Sequence, residues 1–339
     1  MNILVTRTDR LGDVLLATPV LKKIVDERPD AQVTFLVRKE WMPVLQYEHP
    51  RVTLLEYDPS VTVSALAKKL ASLHFDAAIV IRDEKTVTRA VKKAGIALRV
   101  GPYSTLRSFF AFNWGVLQKR SRCEKHEAEY NLDLLRKIGI DPAPPATTAA
   151  ELPRSWVRYP ILADPSVLEF LKAQGLHELS FVCVHPGSSG SARYLSTPKM
   201  IELVQRVAQT GHRVVLTGSG SEAPLLDEIA KAVPGVVIFG GHEPRPLDQL
   251  AALYARASLV VAHGTGPLHL AAAVGAPVFA IFPPIFVLSE KRWGPLTPNR
   301  TVWVPKVDCP AKYRCLGEKC GYYDCMNRFV ANDIKMRTP

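Results

Sequence analysis

Short runs of β-branched and aliphatic residues alternate with stretches of helical periodicity along this chain, and this alternation constrains the fold most. In the first half, strands are predicted at residues 3–6, 32–37 and 75–81, and helices at residues 14–25 and 65–73. Strands that alternate with helices favour a parallel sheet covered on both faces. The sequence therefore predicts an α/β unit in the amino-terminal half.

The same alternation begins again in the second half of the chain. A Pro-rich passage at residues 141–146, continued to Asp164-Pro165, is typical of a linker. A length of 339 residues also favours two domains. We predict doubly wound, Rossmann-like domains at residues 1–160 and 161–339. The predicted elements of the second domain are strands 181–185, 213–217, 236–239 and 259–262 and helices 198–210 and 268–274.

The chain is basic: 43 Lys and Arg against 32 Asp and Glu give a net charge of +11, which favours an anionic partner. Residues 85–137 hold twelve basic and four acidic residues, interleaved with the aromatic cluster at residues 109–114. This stretch is either an interface with an anionic membrane or acceptor, or a solvated basic face beside a core segment. The residues assigned to the interface are Arg107, Lys119, Arg120 and Arg122.

Several classes of protein are not expected. No nucleic-acid-binding motif accompanies the charge, so no nucleic acid partner is predicted. The amino terminus lacks a signal peptide, and the apolar stretch at residues 268–286 is interrupted by His269, Gly275 and prolines. We expect a cytoplasmic protein, bound at most peripherally to a membrane.

Gly- and Ser-rich loops follow three predicted strands of the second domain, where ligands bind in doubly wound sheets. The loop at 185–193, which ends at Arg193, is either a phosphate cradle or a plain turn. Glu222 is positioned either to accept hydrogen bonds from a ribose diol or base edge, or to stabilise a helix start. His269, in the apolar stretch after residue 264, is either a ligand-binding or a core histidine.

Asp13 follows the first predicted strand. Aspartate at that position is either a helix N-cap or a general base that deprotonates an acceptor hydroxyl.

Four of the six cysteines lie near the carboxyl end. In a cytoplasmic chain they are either reduced thiols or ligands of a structural metal. Their gaps of five, four and four residues lack the Cys-x-x-Cys spacing usual for zinc, so no metal is assigned. The four are Cys309, Cys315, Cys320 and Cys325.

Together these motifs resemble the lipopolysaccharide heptosyltransferases of glycosyltransferase family 9. The resemblance implies a GT-B fold, in which two Rossmann-like domains face each other across a cleft, with the acceptor on the first and the donor nucleotide on the second. It also implies an inverting, metal-independent transfer of heptose from ADP-heptose to a lipopolysaccharide core or related glycan, with no cofactor. The matching segments are residues 3–7, 11–15, 18–19, 185–193, 216–222 and 264–272.

The resemblance further implies roles for single residues, with Asp13 as the general base. Gly264 departs from the family pattern, because many members carry an acidic residue there that contacts the donor sugar. Three alternatives stay open: a transferase of another nucleotide sugar, a sugar-nucleotide 2-epimerase, and a glycan-binding protein without catalysis. The implied donor-binding residues are Ser188, Ser189, Arg193, Glu222, Thr265, Gly266 and His269.

Overall fold

The structure is a computed structural model that describes residues 1–45, 49–142, 146–148, 150–157, 164–188 and 193–334. The chain forms two compact units, Met1–Tyr159 and Pro160–Pro339. Each unit contains one six-stranded parallel sheet connected by helices, which confirms the predicted α/β class. Of the predicted linker, residues 143–145, 149 and 158–163 lie outside the described residues, and Pro165 begins a helix.

The first unit is built around a central strand at the amino terminus. Its strands are β1 (Asn2–Thr6), β2 (Gln32–Arg38), β3 (Val52–Tyr57), β4 (Ala77–Val80), β5 (Leu98–Pro102) and β6 (Trp114–Val116). They lie in the order β3-β2-β1-β4-β5-β6, and Val5 is paired with Phe35 on one side and Ile79 on the other. The order reverses at β1, and ligands bind beyond the carboxyl ends of strands at such a reversal.

Helices lie between most of these strands and after the last of them. They are α1 (Leu11–Leu15), α2 (Thr18–Glu27), α3 (Val63–Ala71), α4 (Lys85–Lys93), α5 (Leu106–Ala111) and α6 (Glu127–Asp133). The single helix predicted over residues 14–25 is wrong, because the chain turns between α1 and α2. Thr18 Oγ1 donates to the carbonyl of Leu15 (2.7 Å), and Pro19 lies in the first turn of α2, where its missing N–H needs no partner.

The second unit repeats the arrangement. Its strands are β7 (Phe181–His185), β8 (Arg213–Gly218), β9 (Val237–Gly240), β10 (Leu259–His263), β11 (Val278–Ile281) and β12 (Arg300–Trp303). Its helices are α7 (Pro165–Ala173), α8 (Thr197–Gln209), α9 (Ala223–Ala232), α10 (Leu247–Tyr254), α11 (Gly266–Ala273) and α12 (Glu290–Trp293). The strand order is β12-β11-β10-β7-β8-β9, so the reversal lies between β7 and β10.

The central strands are buried, which explains their unbroken apolar runs. All five residues of β7 and all four of β4 and β11 are buried. Both reversal points therefore sit on rigid strands, and the loops that leave them carry the polar residues. Among the described residues, no helix combines the length and apolar character needed to cross a membrane.

Candidate functional site

Asp13 lies in the five-residue helix α1, immediately beyond the carboxyl end of β1. The N-cap interpretation is wrong, because α1 begins at Leu11 and its N-cap residue is Arg10. The Asp13 carboxylate instead accepts a hydrogen bond from Arg7, and 17% of its side chain is exposed. The carboxylate is thus held by a side chain at the strand end and still reaches solvent.

A buried guanidinium organises the acidic groups at this strand end. Arg7 is 4% exposed, and its Nε donates to Asp9 Oδ1 at 2.7 Å while its Nη2 donates to Asp13. Its Nη1 lies 3.6 Å from Glu127 Oε1, on the first residue of α6. Three carboxylates therefore surround one cation in a site shielded from water.

These surroundings change the acidity of Asp13. Burial raises its pKa, because the charged form loses hydration, and the nearby charges of Asp9 and Glu127 raise it too. Arg7 opposes the increase by stabilising the carboxylate. A carboxylate with a raised pKa is a stronger base, which suits proton abstraction from a hydroxyl.

Arg120 does not lie on the basic surface to which the sequence assigned it. Its Nη1 donates to Glu127 and to Asn131 Oδ1 (3.1 Å), and its Nε and Nη2 donate to Gln118 Oε1 (2.9 and 2.7 Å). Only 17% of its side chain is exposed. The structure thus joins Arg120 to Asp13 through Glu127 and Arg7, and sequence reasoning missed both intermediates.

In the second unit, Glu222 lies beyond β8, facing the end of β7. It accepts hydrogen bonds from Ser219 N (2.8 Å) and Ser219 Oγ (2.7 Å). Its Oε2 is 3.7 Å from His185 Nε2, and its carboxylate occupies the space beside Gly187. Glu222 Oε1 is buried and makes no hydrogen bond within the described residues. This oxygen is an acceptor that a ligand hydroxyl can satisfy.

Two buried histidines line the reversal between β7 and β10. His185 Nδ1 is 3.1 Å from Thr217 Oγ1, which is 2.9 Å from Tyr254 Oη. Burial lowers the pKa of His185, although Glu222 favours its charged form. Burial and the neighbouring His185 lower the pKa of His263 to about 3, and its Nε2 accepts from Leu195 N (3.1 Å). Both rings are neutral near pH 7.

Helix α11 starts at this same reversal. Thr265 is its N-cap residue, but the hydroxyl donates to the carbonyl of His263 (3.2 Å) and does not cap the helix. The first turn from Gly266 therefore has backbone N–H groups available to an anion. His269 is 3% exposed on α11, and Ser188 is 6% exposed after β7. Ser189 lies outside the described residues.

Arg193 is bound to the Cys-rich segment near the carboxyl end. Its Nη2 lies 3.3 Å from Asp324 Oδ2, and its guanidinium lies over the Tyr323 ring at 5.1 Å. A hydrogen bond with Tyr323 and the charge of Asp324 raise its pKa. One-third of its side chain is exposed, so it remains accessible to a ligand.

The four cysteines near the carboxyl end line one small pocket with Arg193. All are free thiols of intermediate burial. In the described part of the chain, no group of three or more His, Cys, Asp or Glu side chains is arranged to hold a metal ion. The structural metal site considered for these cysteines is therefore not found there.

The basic aromatic stretch forms an exposed surface on the first unit. Five of its large apolar side chains are 48–81% exposed, namely Leu106, Phe109, Phe110, Trp114 and Leu117, whereas Phe112 is buried. Lys119 and Arg122 are exposed, and Arg122 lies 3.6 Å from Glu124. Arg107 is paired with Asp83 at 2.9 Å, so much of its charge is neutralised within the unit.

Comparisons with known proteins agree with this architecture. Residues 63–320 match the family Glycosyltransferase family 9 (heptosyltransferase). A Haemophilus influenzae protein is 28% identical over 313 residues, which cover 87% of this chain and 86% of that protein. Lipopolysaccharide heptosyltransferase 3 of Escherichia coli is 25% identical over 299 residues, which cover 85% of this chain and 83% of that protein.

Solved structures show the same fold. A glycosyltransferase of family 9 from Veillonella parvula superposes with a TM-score of 0.76 at 18% identity, covering 89% of this chain and 85% of that one. The ADP-heptose lipopolysaccharide heptosyltransferase II of E. coli superposes with a TM-score of 0.72 at 22% identity, covering 89% and 90%. The match over residues 63–320, together with the Rossmann-like architecture of each unit, shows that the chain belongs to glycosyltransferase family 9 and is a glycosyltransferase.

Proposed function

We propose that this glycosyltransferase moves a heptose from ADP-heptose to a lipopolysaccharide core or related glycan, with inversion at the anomeric carbon. In this proposal the first unit binds the acceptor and the second binds the donor. The observation that carries the proposal is the Asp13 carboxylate at the end of β1, bound by Arg7 and still partly open to solvent. The names of the relatives support the substrates.

The reaction follows from the chemistry of these groups. The acceptor hydroxyl oxygen attacks the anomeric carbon while Asp13 takes its proton, and the bond to the ADP oxygen breaks. The diphosphate leaves with the bonding electrons, so its negative charge needs stabilisation. The N–H groups at the start of α11 and the Arg193 guanidinium supply it, and Ser188 and Ser189 line the phosphates.

The remaining donor contacts use the groups around the second reversal point. Glu222 accepts hydrogen bonds from the adenosine ribose, which would satisfy its buried Oε1. Thr265, Gly266 and the region of His269 contact the diphosphate and the sugar. Arg193 keeps its contact with Tyr323 while it faces the phosphate.

One observation favours a second candidate, transfer of a different nucleotide-activated sugar. Gly264 lacks the acidic side chain of many family members, and the Phe282 ring would lie 2.5 Å from a Cβ placed there. An aromatic ring thus fills the space beside Gly264 in this chain. A thermal-shift comparison of ADP, GDP and UDP sugars distinguishes the candidates, because the bound nucleotide raises the midpoint.

The test of the base uses Asp13→Asn. The variant is expected to bind the nucleotide sugar and to lose transfer by about two orders of magnitude or more, the range for loss of a general base. Asp26→Asn, which alters an exposed aspartate of α2 paired with Lys22, is the matched control and should transfer normally. Turnover of Asp13→Asn at the rate of the unaltered protein would remove the assignment of Asp13 as the base. Free nucleotide formed without an acceptor would favour the epimerase.

We further propose that the first unit docks on the anionic cytoplasmic face of the inner membrane. Helix α4 exposes a row of cations on one face and packs against α5, whose apolar side chains are exposed beside it. Aromatic side chains beside cations suit the interface of an anionic bilayer. The α4 cations are Lys85, Arg89, Lys92 and Lys93.

Vesicle sedimentation tests this docking. Each cation near an anionic surface contributes about 1 kcal/mol, so Lys119→Ser with Arg122→Ser should weaken binding roughly 10- to 30-fold. Binding should also fall steeply with salt, while ADP affinity stays unchanged. The control removes two cations of α2, Lys22→Ser with Lys23→Ser, and should bind normally. Equal binding to anionic and neutral vesicles at low salt would contradict the docking.

A further inference from the structure

The Asp13 carboxylate is the end of a longer chain of buried ion pairs. Arg7 contacts Asp13 directly, Glu127 lies against Arg7, and Arg120 donates to Glu127. Glu127 is 2% exposed and its side chain cannot be hydrated like a surface carboxylate. Buried charges persist only when they are paired and hydrogen-bonded, so each member depends on the next.

We infer that Arg7 and Glu127 are positioning residues for Asp13: Arg7 holds and orients its carboxylate, and Glu127, anchored by Arg120, holds Arg7. This inference rests on the proposed function, in which Asp13 takes the acceptor proton. Neither Arg7 nor Glu127 is assigned a contact with a substrate.

The geometry gives Arg7 little freedom to move. Its Nε and Nη2 are both engaged, by Asp9 and Asp13 respectively. Its Nη1 is buried and makes no hydrogen bond within the described residues, so the charge of Glu127 at 3.6 Å is what stabilises this end of the guanidinium. Rotation of Arg7 would therefore separate three ion pairs at once.

Three side-chain hydrogen bonds from neighbouring elements hold the backbone around the segment from β1 to α1. Asn131 Nδ2, on α6, donates to the carbonyl of Leu16 at the end of α1 (3.1 Å). Trp41 Nε1 donates to the carbonyl of Asp9 (2.8 Å), and Arg38 Nε donates to that of Thr8 (2.7 Å). The segment between β1 and α1 is thus held from two sides while Arg7 joins it to α6.

The charges around Asp13 act on its proton affinity in opposite directions. Arg7 favours the ionised form, whereas Glu127 and Asp9 favour the protonated form. Several elements contribute charged groups that either face Asp13 or pair with a residue that faces it. They are Arg7 at the end of β1, Asp9 in the next loop, Arg82 after β4 (3.2 Å from Asp9), Glu127 on α6 and Arg120 before it.

The test measures kcat as a function of pH. We expect kcat to fall at low pH, on the acid limb of the profile, because Asp13 becomes protonated there. Arg7→Met should move this acid limb to higher pH by roughly 1–3 units, the range for removal of an adjacent opposite charge. Glu127→Gln should move it to lower pH. Arg7→Lys keeps the charge but loses the forked geometry, so it should lower kcat about 100-fold with little change in KM.

The pKa of the Asp13 carboxyl is also read directly, by 13C NMR of labelled aspartate assigned with Asp13→Asn. Lys125→Met, which removes a cation paired with Asp133 at 2.7 Å, is the matched control and should move neither the acid limb nor the resonance. Arg7→Met removes the cation shared by three carboxylates, of which Glu127 keeps Arg120 and Asp9 keeps Arg82. Arg7→Met with Glu127→Gln is therefore made alongside it, and circular dichroism establishes that each variant is folded.

The outcomes separate this inference from the proposed function. The inference is supported if the acid limb of kcat and the pKa read from the Asp13 carboxyl resonance move to higher pH in Arg7→Met and to lower pH in Glu127→Gln. An inactive Asp13→Asn with no shift in either folded variant overturns it and leaves the proposed base in place. A fully active Asp13→Asn overturns the proposed base, while shifted carboxyl resonances would still support control of Asp13 by Arg7 and Glu127.

Discussion

Gly187→Ala tests how the second unit holds Glu222. A Cβ added at Gly187 would overlap Oε1 and Cδ of Glu222 and lie 3.0 Å from its Cγ. Carbon atoms in ordinary contact are about 3.5–4.0 Å apart, so the carboxylate has to move by more than about 1 Å. The backbone at Gly187 needs no unusual conformation, and the perturbation therefore acts through Glu222 alone.

The magnitude follows from the contacts that this movement breaks. Glu222 accepts from Ser219 N and Ser219 Oγ at 2.8 and 2.7 Å, and only 11% of its side chain is exposed. A hydrogen bond to a charged group contributes about 1.5–3 kcal/mol, and water recovers part of it here because Ser219 is exposed. We expect a loss of about 1–3 kcal/mol in stability. Loss of the proposed ribose contact should weaken ADP binding roughly 10- to 100-fold.

Calorimetric titration with ADP in a double-mutant cycle is the assay. If Gly187→Ala acts only by displacing Glu222, the variant carrying both Gly187→Ala and Glu222→Ala should bind ADP as Glu222→Ala does. The interaction free energy then nearly equals the effect of Gly187→Ala alone. Additive losses would refute this reasoning, since they would mean that Gly187 affects the nucleotide independently of Glu222.

Two further predictions concern the same unit. Gly264→Asp should destabilise the chain by about 1–3 kcal/mol in thermal unfolding, because the buried ring of Phe282 fills the adjacent space. Phe282→Ala should reduce the loss of stability that Gly264→Asp causes. An unaltered unfolding midpoint for Gly264→Asp alone would contradict the overlap. The pKa of His263 is about 3 when folded against 6.5 as the ordinary value, so between these pH values the unfolded chain binds more protons and stability falls as pH falls. His263→Gln should flatten the decline in unfolding free energy from pH 6.5 to pH 5, by a slope that approaches about 1.4 kcal/mol per pH unit near pH 5, whereas the exposed control His177→Gln should not.

The central strands β1, β7 and β10 were predictable because their signal is local, whereas the buried strand β11 was not predicted. In β1, β7 and β10, apolar runs end at polar or glycine-rich loops, and burial on both faces removes any need for alternation. The edge strand β6 lacks that signal. β6 has only three residues and none of them is buried, so pairing with β5 rather than its own composition makes it a strand.

The candidate donor site was predictable in position because chain order alone places the loops after β7, β8 and β10 at one sheet edge. The contacts within it were not predictable. The space that Gly187 leaves for Glu222 joins residues 35 positions apart, and nothing in either loop specifies that approach. Arg193 likewise carries the charge expected of a phosphate ligand, but its contact with Asp324 depends on how the carboxyl-terminal segment folds back.

The basic stretch shows most clearly what a linear count of charges misses. Arg99 donates to the carbonyls of Ile96 (2.6 Å) and Ala111 (2.8 Å), and Arg107 pairs with Asp83. Arg120 lies deeper still, against Glu127, and so belongs with the candidate base rather than with a membrane. Some cations of the stretch are thus bound within the unit, and others are exposed at its surface. Tertiary packing determines which of them are exposed. For that reason docking on an anionic bilayer should depend on exposed cations such as those of α4, while loss of Arg120 should affect stability and the pH dependence of kcat.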